Sequence, residues 1–358
     1  MINENGGDLR QTVKPLAPEQ AAILPSHRRG ATQEATPTFF VRDVPVFGDV
    51  ILAPMAGFAD VPTRAICRRF GSAMNYSEFV AAEDIVNGAS RAMSLLDFTA
   101  DDRPMVFQIF GNDAQSILLA AQRIEDLGPD IIDINMGCST RRVSGRGAGV
   151  GMMRDPQLVA ETFRLLNKHL SVPVTGKIRL GWEDNQNYLE VARILDESGA
   201  ALIALHPRTK EQQYRGAAQW EAIAALCEAV NVPVIGNGDV VAPQDVDRMK
   251  SQTGCQAVMI GRGAIGNPWL FARTEKETLM FSTLAQLIEE HLDLMVSYYG
   301  ERGLVLFRKH LKRYLAGMPA LKESYRRMVT AGTVDEVSNA LAQLERQYGD
   351  QKVGELMG

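Results

Sequence analysis

Cysteine is scarce: four residues among 358, Cys67, Cys138, Cys227 and Cys255, with no two at the short spacing of a metal knuckle. That sparsity excludes the dense disulfide framework of a small secreted domain, and free thiols in a reducing compartment are expected, with no bound metal. Long apolar runs are missing too; none approaches the roughly 20 residues that a spanning helix requires. A membrane class is therefore not expected. The first 40 residues have neither the apolar core of a secretory signal nor the acid-poor composition of a transit peptide, so the expected location is the cytoplasm. Nor is there an excess of positive charge. With 38 Lys and Arg against 43 Asp and Glu, the formal net charge is -5, which argues against coating nucleic acid by bulk charge and leaves only local basic patches for that purpose. No dinucleotide-binding glycine fingerprint is visible.

What is present is a globular balance, 46% hydrophobic and 23% charged, over a length that accommodates one large domain and an appendage. Residues 1 to about 40 carry Gly6, Gly7, Pro15, Pro18, Pro25 and Pro37 with little periodicity, and read as a flexible extension. From Val50 onward, short apolar, often β-branched runs alternate with amphipathic stretches. Candidate strands are Val50 to Met55, Ala73 to Glu78, Pro104 to Ile109, Asp130 to Asn135, Val172 to Ile178, Ala200 to His206, Val232 to Asn237 and Ala257 to Gly261. Helical spacing marks Ala114 to Leu127, Pro156 to His169, Tyr188 to Ser198 and Trp220 to Ala229. Eight strands with crossovers predict an α/β fold of the (β/α)8 TIM-barrel type over 41–277, with an open doubly wound sheet as the rival. After Thr278 no strand-like run follows. Leu284, Leu287, Ile288, His291, Leu292 and Met295 form a helical stripe, a second helix covers Leu304 to Leu315, and a third starts at Thr333 with Glu336 completing a capping box. Gly300 and Gly317 read as helix stops, so 278–358 is expected to be a small all-helical domain.

In such barrels the reacting groups stand at the carboxyl ends of the strands. Here those positions offer Met55, Glu78, Gln108, Asn135, Lys177 with Arg179, His206 with Arg208, Asn237 with Asp239, and Arg262. The loops after the seventh and eighth strands, Gly236-Asn237-Gly238-Asp239 and Gly261-Arg262-Gly263, are where barrels build phosphate sites, and their small residues suit the phosphate of flavin mononucleotide. Arg262 would add a charged contact. Lys177 and His206 could stabilise negative charge on a reduced ring, with Gln108 at its opposite edge. A lysine in that position could equally form a Schiff base. Cys138 lies just beyond the fourth strand, in a glycine-rich loop read as a mobile lid, and suits proton delivery or attack on an electrophile. The other three cysteines read as packing residues.

The motifs Ala53-Pro54-Met55-Ala56-Gly57, Gln108-Ile109-Phe110-Gly111, Asp133-Ile134-Asn135-Met136-Gly137-Cys138, Lys177-Ile178-Arg179, His206-Pro207-Arg208-Thr209, Asn237-Gly238-Asp239 and Gly261-Arg262 resemble, in this order, the tRNA-dihydrouridine synthase family and most closely its bacterial B-type branch. The likeness covers about residues 45 to 345. It implies that Pro54, Met55, Ala56, Gln108, Lys177, His206, Asn237, Gly238, Asp239, Gly261 and Arg262 hold flavin mononucleotide and that NADPH is the electron donor. It also implies hydride addition to carbon 6 of a uracil, protonation of carbon 5 by Cys138, and contacts to the base from Asn135, Arg179 and Arg208. The family usually has proline after the catalytic cysteine, where this chain has Ser139, and Arg141 and Arg142 nearby would favour the thiolate over the proton-bearing thiol.

Between residues 308 and 327 stand seven cations, Arg308, Lys309, Lys312, Arg313, Lys322, Arg326 and Arg327, against the single acid Glu323. Such a patch can track phosphates while a flipped base enters the barrel. The implied partner is transfer RNA or another folded RNA; no protein partner is expected. Two other readings stand beside this one. A flavin barrel acting on a small free pyrimidine would not need the basic domain, and an RNA-binding protein with little turnover would not need Cys138, Lys177 and His206.

Overall fold

The computed structural model describes residues 36–183 and 186–358. Most of the expected N-terminal extension, residues 1–35, lies outside the described residues. Its last residues enter a hairpin, β1 (Phe39–Val41) with β2 (Val44–Val46), turned through Arg42 at φ 56°.

Eight parallel strands follow in the anticipated places: β3 (Val50–Leu52), β4 (Asn75–Tyr76), then, after the two-residue β5 (Val80–Ala81), β6 (Met105–Phe110), β7 (Ile131–Met136), β8 (Val174–Arg179), β9 (Ile203–His206), β10 (Val234–Asn237) and β11 (Ala257–Ile260). Each pairs with the next around the sheet, and β11 returns to β3. The remaining seam, between β3 and β4, is bridged by the Ala73 N–H to the Val50 carbonyl at 2.8 Å and by the Leu52 N–H to the Ser72 hydroxyl at 3.1 Å. The result is a nearly closed TIM barrel rather than an open sheet.

Alternation along each strand sorts the side chains. Ile51, Tyr76, Val106, Ile131, Ala204, Ile235 and Met259 fill the interior as one buried cluster, and Phe39, Val41 and Val46 of the hairpin belong to it too, plugging its foot. Positions of the opposite parity, such as Phe107, Ile132, Ile178 and Leu205, join the layer beneath the surrounding helices. The anticipated helices occupy Ala114–Glu125, Pro156–His169, Tyr188–Glu197 and Trp220–Ala229. Asp113 caps the first of these by accepting the Ser116 N–H at 2.8 Å, and Asp155, followed by Pro156 at the first helical position, caps the second through Leu158 at 3.0 Å.

Beyond the barrel come helices Phe281–Tyr299, Arg302–Tyr314, Lys322–Thr330 and Val334–Tyr348. Gly300, at φ 63°, follows the first, and Gly317, at φ 83°, lies just past the second. The expected capping box at Thr333 is only half formed. The Thr333 hydroxyl accepts the Glu336 N–H at 3.3 Å, but the Glu336 carboxylate takes the Gly332 N–H at 2.7 Å instead of that of Thr333. The helical core continues into the barrel through Val61, Ile66 and Trp269. Polar ties reinforce the junction: Tyr298 donates to Asp97 at 2.8 Å, Tyr299 to Asp60 at 3.2 Å, and Arg69 pairs with Glu290.

Candidate active site at the barrel mouth

Strand parity explains which polar groups converge. Met55, Glu78, Gln108, Asn135, Lys177, Arg179, His206, Asn237 and Gly261 continue the inward-facing positions past the apolar interior, at or just beyond the carboxyl ends of their strands. Register then sets neighbours: Gln108 stands beside Asp133, Asp133 beside Thr175, Asn135 beside Lys177, and Arg179 beside His206.

The deepest layer is a closed polar network. Gln108 donates to the Asp133 carboxylate at 2.7 Å and accepts from the Asn135 amide at 2.8 Å, while Thr175 donates to Asp133 at 2.6 Å. Burial raises the Asp133 pKa to about 6 against the lowering effect of these donors and of Lys177. A shift of that size amounts to roughly 3 kcal/mol against the charged form. The opposite wall carries Lys177, whose ammonium donates to the Asn237 carbonyl oxygen at 2.9 Å; Asn237 in turn donates to the Met259 carbonyl at 2.7 Å. Burial first, then Arg179, lowers the Lys177 pKa to about 8.

Cations crowd the rim. Arg179, 3% exposed, donates to the carbonyls of Gly137 at 2.8 Å, Thr209 at 3.2 Å and Gln213 at 2.9 Å, and burial lowers its pKa to about 10. Arg208, 2% exposed, donates from Nη2 to both Asp239 carboxylate oxygens at 2.6 Å, and its Nη1 meets His206 Nε2 at 3.2 Å. Because arginine can only donate, Nε2 accepts and the proton resides on Nδ1. Burial and the surrounding Arg179, Lys177, Arg208 and Arg262 hold His206 well below the usual histidine range, so it is neutral at physiological pH.

Asn135 also fixes the reactive loop: its side-chain oxygen accepts the backbone N–H of Cys138 at 2.8 Å and of Gly137 at 3.1 Å. The half-buried Cys138 sulfur lies 3.3 Å from the Thr140 hydroxyl. Arg141 and Arg142 are exposed on the short helical turn Arg141–Ser144. The loop expected to be a lid is well tied down, with the Val150 N–H on the Cys138 carbonyl and Gly149 at φ 57° packed so tightly that a Cβ there would sit 2.8 Å from the same oxygen. The other cysteines belong to helix or pre-strand packing: Cys67 and Cys255 are buried, and burial pushes the Cys227 thiol up to about 12.

The two glycine loops meet backbone to backbone. A Cβ on Gly263 would lie 2.3 Å from the Val240 carbonyl, and one on Gly238, at φ 132°, would press on Ala218 and the His206 ring at 3.0 and 3.2 Å. Lys177, Asn237 and the half-exposed Arg262 stand at these loops, and together they offer the kind of donors that a phosphate and a polar ring require. Of the residues anticipated there, Asp239 faces Arg208 and the Ala218 N–H, and Arg262 lies 3.8 Å from Asp239. Pro54, Met55 and Ala56 follow the first barrel strand, and the Met55 sulfur lies 3.7 Å from where a Cβ on Gly261 would sit. Asp133 had no assigned role in the sequence reading, although an acid within an apolar strand, two residues before Asn135, marks it. Tyr214 was missed outright; 56% exposed, it lies between Arg262 and Arg179, with ring-centroid distances of 4.3 and 5.6 Å.

Fold and site together define a TIM-barrel enzyme with a preorganised, cationic mouth. The family model for dihydrouridine synthase matches residues 51–350. The chain is 39% identical over 284 residues to "tRNA-dihydrouridine synthase B" of Pseudomonas aeruginosa, covering 76% of this chain and 86% of that protein. It is 36% identical over 311 residues to the protein of the same name from Xanthomonas axonopodis pv. citri, covering 84% and 92%. Against "Probable tRNA-dihydrouridine synthase" of Rhizobium leguminosarum bv. phaseoli the identity is 39%, with 74% and 84% covered. Among solved structures, a 2-naphthoyl-CoA reductase superposes with a TM-score of 0.50 at 10% identity, covering 65% of this chain and 50% of that one, and shows the shared fold. The chain belongs to the dihydrouridine synthase family, with B-type relatives. It is an enzyme of that class.

Proposed function

We propose that the chain reduces selected uridines of transfer RNA to 5,6-dihydrouridine, with residues 41–277 as the catalytic barrel and 278–358 as the RNA-binding domain. The observation that carries this reading is the juxtaposition, in a member of this family, of Cys138 held by Asn135 with the Lys177, Asn237 and glycine-loop cradle. Flavin mononucleotide held in that cradle and reduced by NADPH would supply the hydride chemistry at carbon 6 of the uracil. Gly238, Gly261 and Arg262 would receive its phosphate, and Lys177, Gln108 and Asn237 its ring, with Pro54, Met55, Ala56 and Asp239 shaping the pocket.

This chain's own groups do the rest. Hydride addition leaves enolate-like charge on the uracil carbonyl, which Arg179, Arg208 and the neutral His206 would stabilise as cationic and polar groups of the mouth. Cys138 gives its thiol proton to carbon 5, and Asn135 fixes the loop that presents it. The packing of these donors around a buried mouth means that little reorganisation is required as charge develops.

The test is to purify the chain, record a flavin spectrum, and compare tRNA dihydrouridine by mass spectrometry in cells with the gene, without it, and with Cys138→Ala. Loss of dihydrouridine in both altered strains supports the assignment. A flavin-bearing protein whose deletion changes no dihydrouridine would favour reduction of a small pyrimidine instead.

A further inference from the structure

Seven cations of the helical region could all have faced RNA, but two of them do not. Arg308 is half-buried and donates to the Ala331 carbonyl at 3.0 Å. Lys309 reaches the other way, into the barrel. Its ammonium donates to the Gly57 carbonyl and lies 5.1 Å from the centre of the Phe58 ring. His310, next along the helix, packs edge-on against the same ring at 5.4 Å.

Gly57 is an unusual place to hold. It sits at φ 75°, within a turn closed by the Phe58 and Ala59 N–H groups on the Met55 carbonyl, both at 3.0 Å. Its own N–H goes to the Glu78 carboxylate at the end of the second barrel strand. Residue 57 is therefore gripped from both sides, by the barrel through its N–H and by the helical domain through its carbonyl. The turn so fixed carries Met55 and Ala56, with Pro54 just before it, the three residues proposed above to shape the flavin pocket. One turn further along the Lys309 helix, Lys312 and Arg313 are exposed to solvent. A single rigid helix thus presents phosphate-seeking cations outward and a grip on the Gly57 turn inward.

We propose that Lys309 is a positioning residue that couples RNA docking on the helical domain to flavin binding, through the Lys309–Gly57–Glu78 clamp; this rests on the function proposed above. RNA that seats the helix Arg302–Tyr314 firms the clamp and tightens the flavin pocket, and by reciprocity bound flavin strengthens RNA docking by the same factor.

The test measures flavin mononucleotide affinity of the full chain by fluorescence quenching, with and without an unmodified tRNA transcript. For the wild type, tRNA should tighten flavin binding by about fivefold or more, the lower range of measured couplings. Lys309→Met keeps an unbranched side chain beside Phe58 but loses the donor; it should weaken flavin binding severalfold and abolish the tRNA effect, and Lys309→Arg should restore both. Lys312→Met should weaken tRNA binding and leave the coupling in place. Gly57→Ala, strained at its positive φ, should reproduce the Lys309→Met result from the other side of the contact and serves as the second variant if Lys309→Met does not fold. If the wild type binds flavin while Lys309→Met matches it in affinity and coupling, the coupling is overturned and the function stands. The same holds if Lys309→Met loses only tRNA affinity, with a shallower salt slope, which would make it a phosphate ligand. A wild type that binds no flavin overturns both readings.

Discussion

The barrel mouth and the outer face of the helical domain are both rich in cations, yet they differ in what surrounds the charge. Lys177, Arg179 and Arg208 are at most 9% exposed and each is committed to a specific acceptor, whereas Lys312, Arg313, Lys322, Arg326 and Arg327 are exposed. Buried cations are expensive to desolvate and costly to strip of a partner, so they mark sites where geometry matters. Exposed cations are individually cheap, screened by salt and effective in numbers. On the function proposed above, the mouth would serve the chemistry and the helical face the docking.

That contrast breaks most visibly at Cys138. Cys138→Ala should lower turnover by about 10²–10⁴-fold, the usual yield of a positioned acid, with the flavin spectrum retained; single-turnover assays on a tRNA transcript measure it. Next in size, Lys177→Met should weaken flavin binding by about tenfold or more, because it leaves the Asn237 oxygen buried without its donor; a flavin titration reads it. In the wild type, flavin affinity should fall as the pH rises through about 8, where the Lys177 ammonium loses its proton. Asp133→Asn should move that fall to lower pH, since the Asp133 charge holds the Lys177 value up.

The same substitution sharpens the stability side. The Asp133 pKa in the folded chain, about 6, lies above its ordinary value of 3.8, so its contribution is fully present in acid and is lost as the pH rises through 6. Asp133→Asn should therefore gain on the wild type between pH 4 and pH 7, by up to about 3 kcal/mol, in denaturant titrations. The smallest effects belong to the helical face: Arg326→Ala with Arg327→Ala should weaken tRNA binding a fewfold, reduce the salt slope by about 1 to 2, and leave flavin affinity unchanged.

Much of this was legible in the chain because the barrel writes its pattern locally. Short, often β-branched runs marked most of the strands, Ala73 to Glu78 being the one without a β-branched residue, and apolar residues at helical spacing marked four of the helices between them. The hairpin Phe39–Val46 was not legible; its strands are three residues each, Pro45 sits within one of them, and only the barrel foot that they plug makes them strands. The helix Lys322–Thr330 also escaped, since Met328 alone among its residues is buried and no apolar stripe exists to be read. At the site, residue types at strand ends could be picked out one by one, but the role of Asp133 depends on the register of three strands, and the inward reach of Lys309 depends on how two domains meet. Neither is a property of a local window.

On the proposed function, this mouth reduces uridine within RNA, with Cys138 as the proton source. The most direct measurement is mass spectrometry of nucleosides from an unmodified tRNA transcript incubated with the purified chain, flavin mononucleotide and NADPH. Dihydrouridine is expected at defined positions with the wild type, little with Cys138→Ala, and none when free uridine replaces the transcript. Equal reduction by wild type and Cys138→Ala, or reduction of free uridine but not of tRNA, would contradict it.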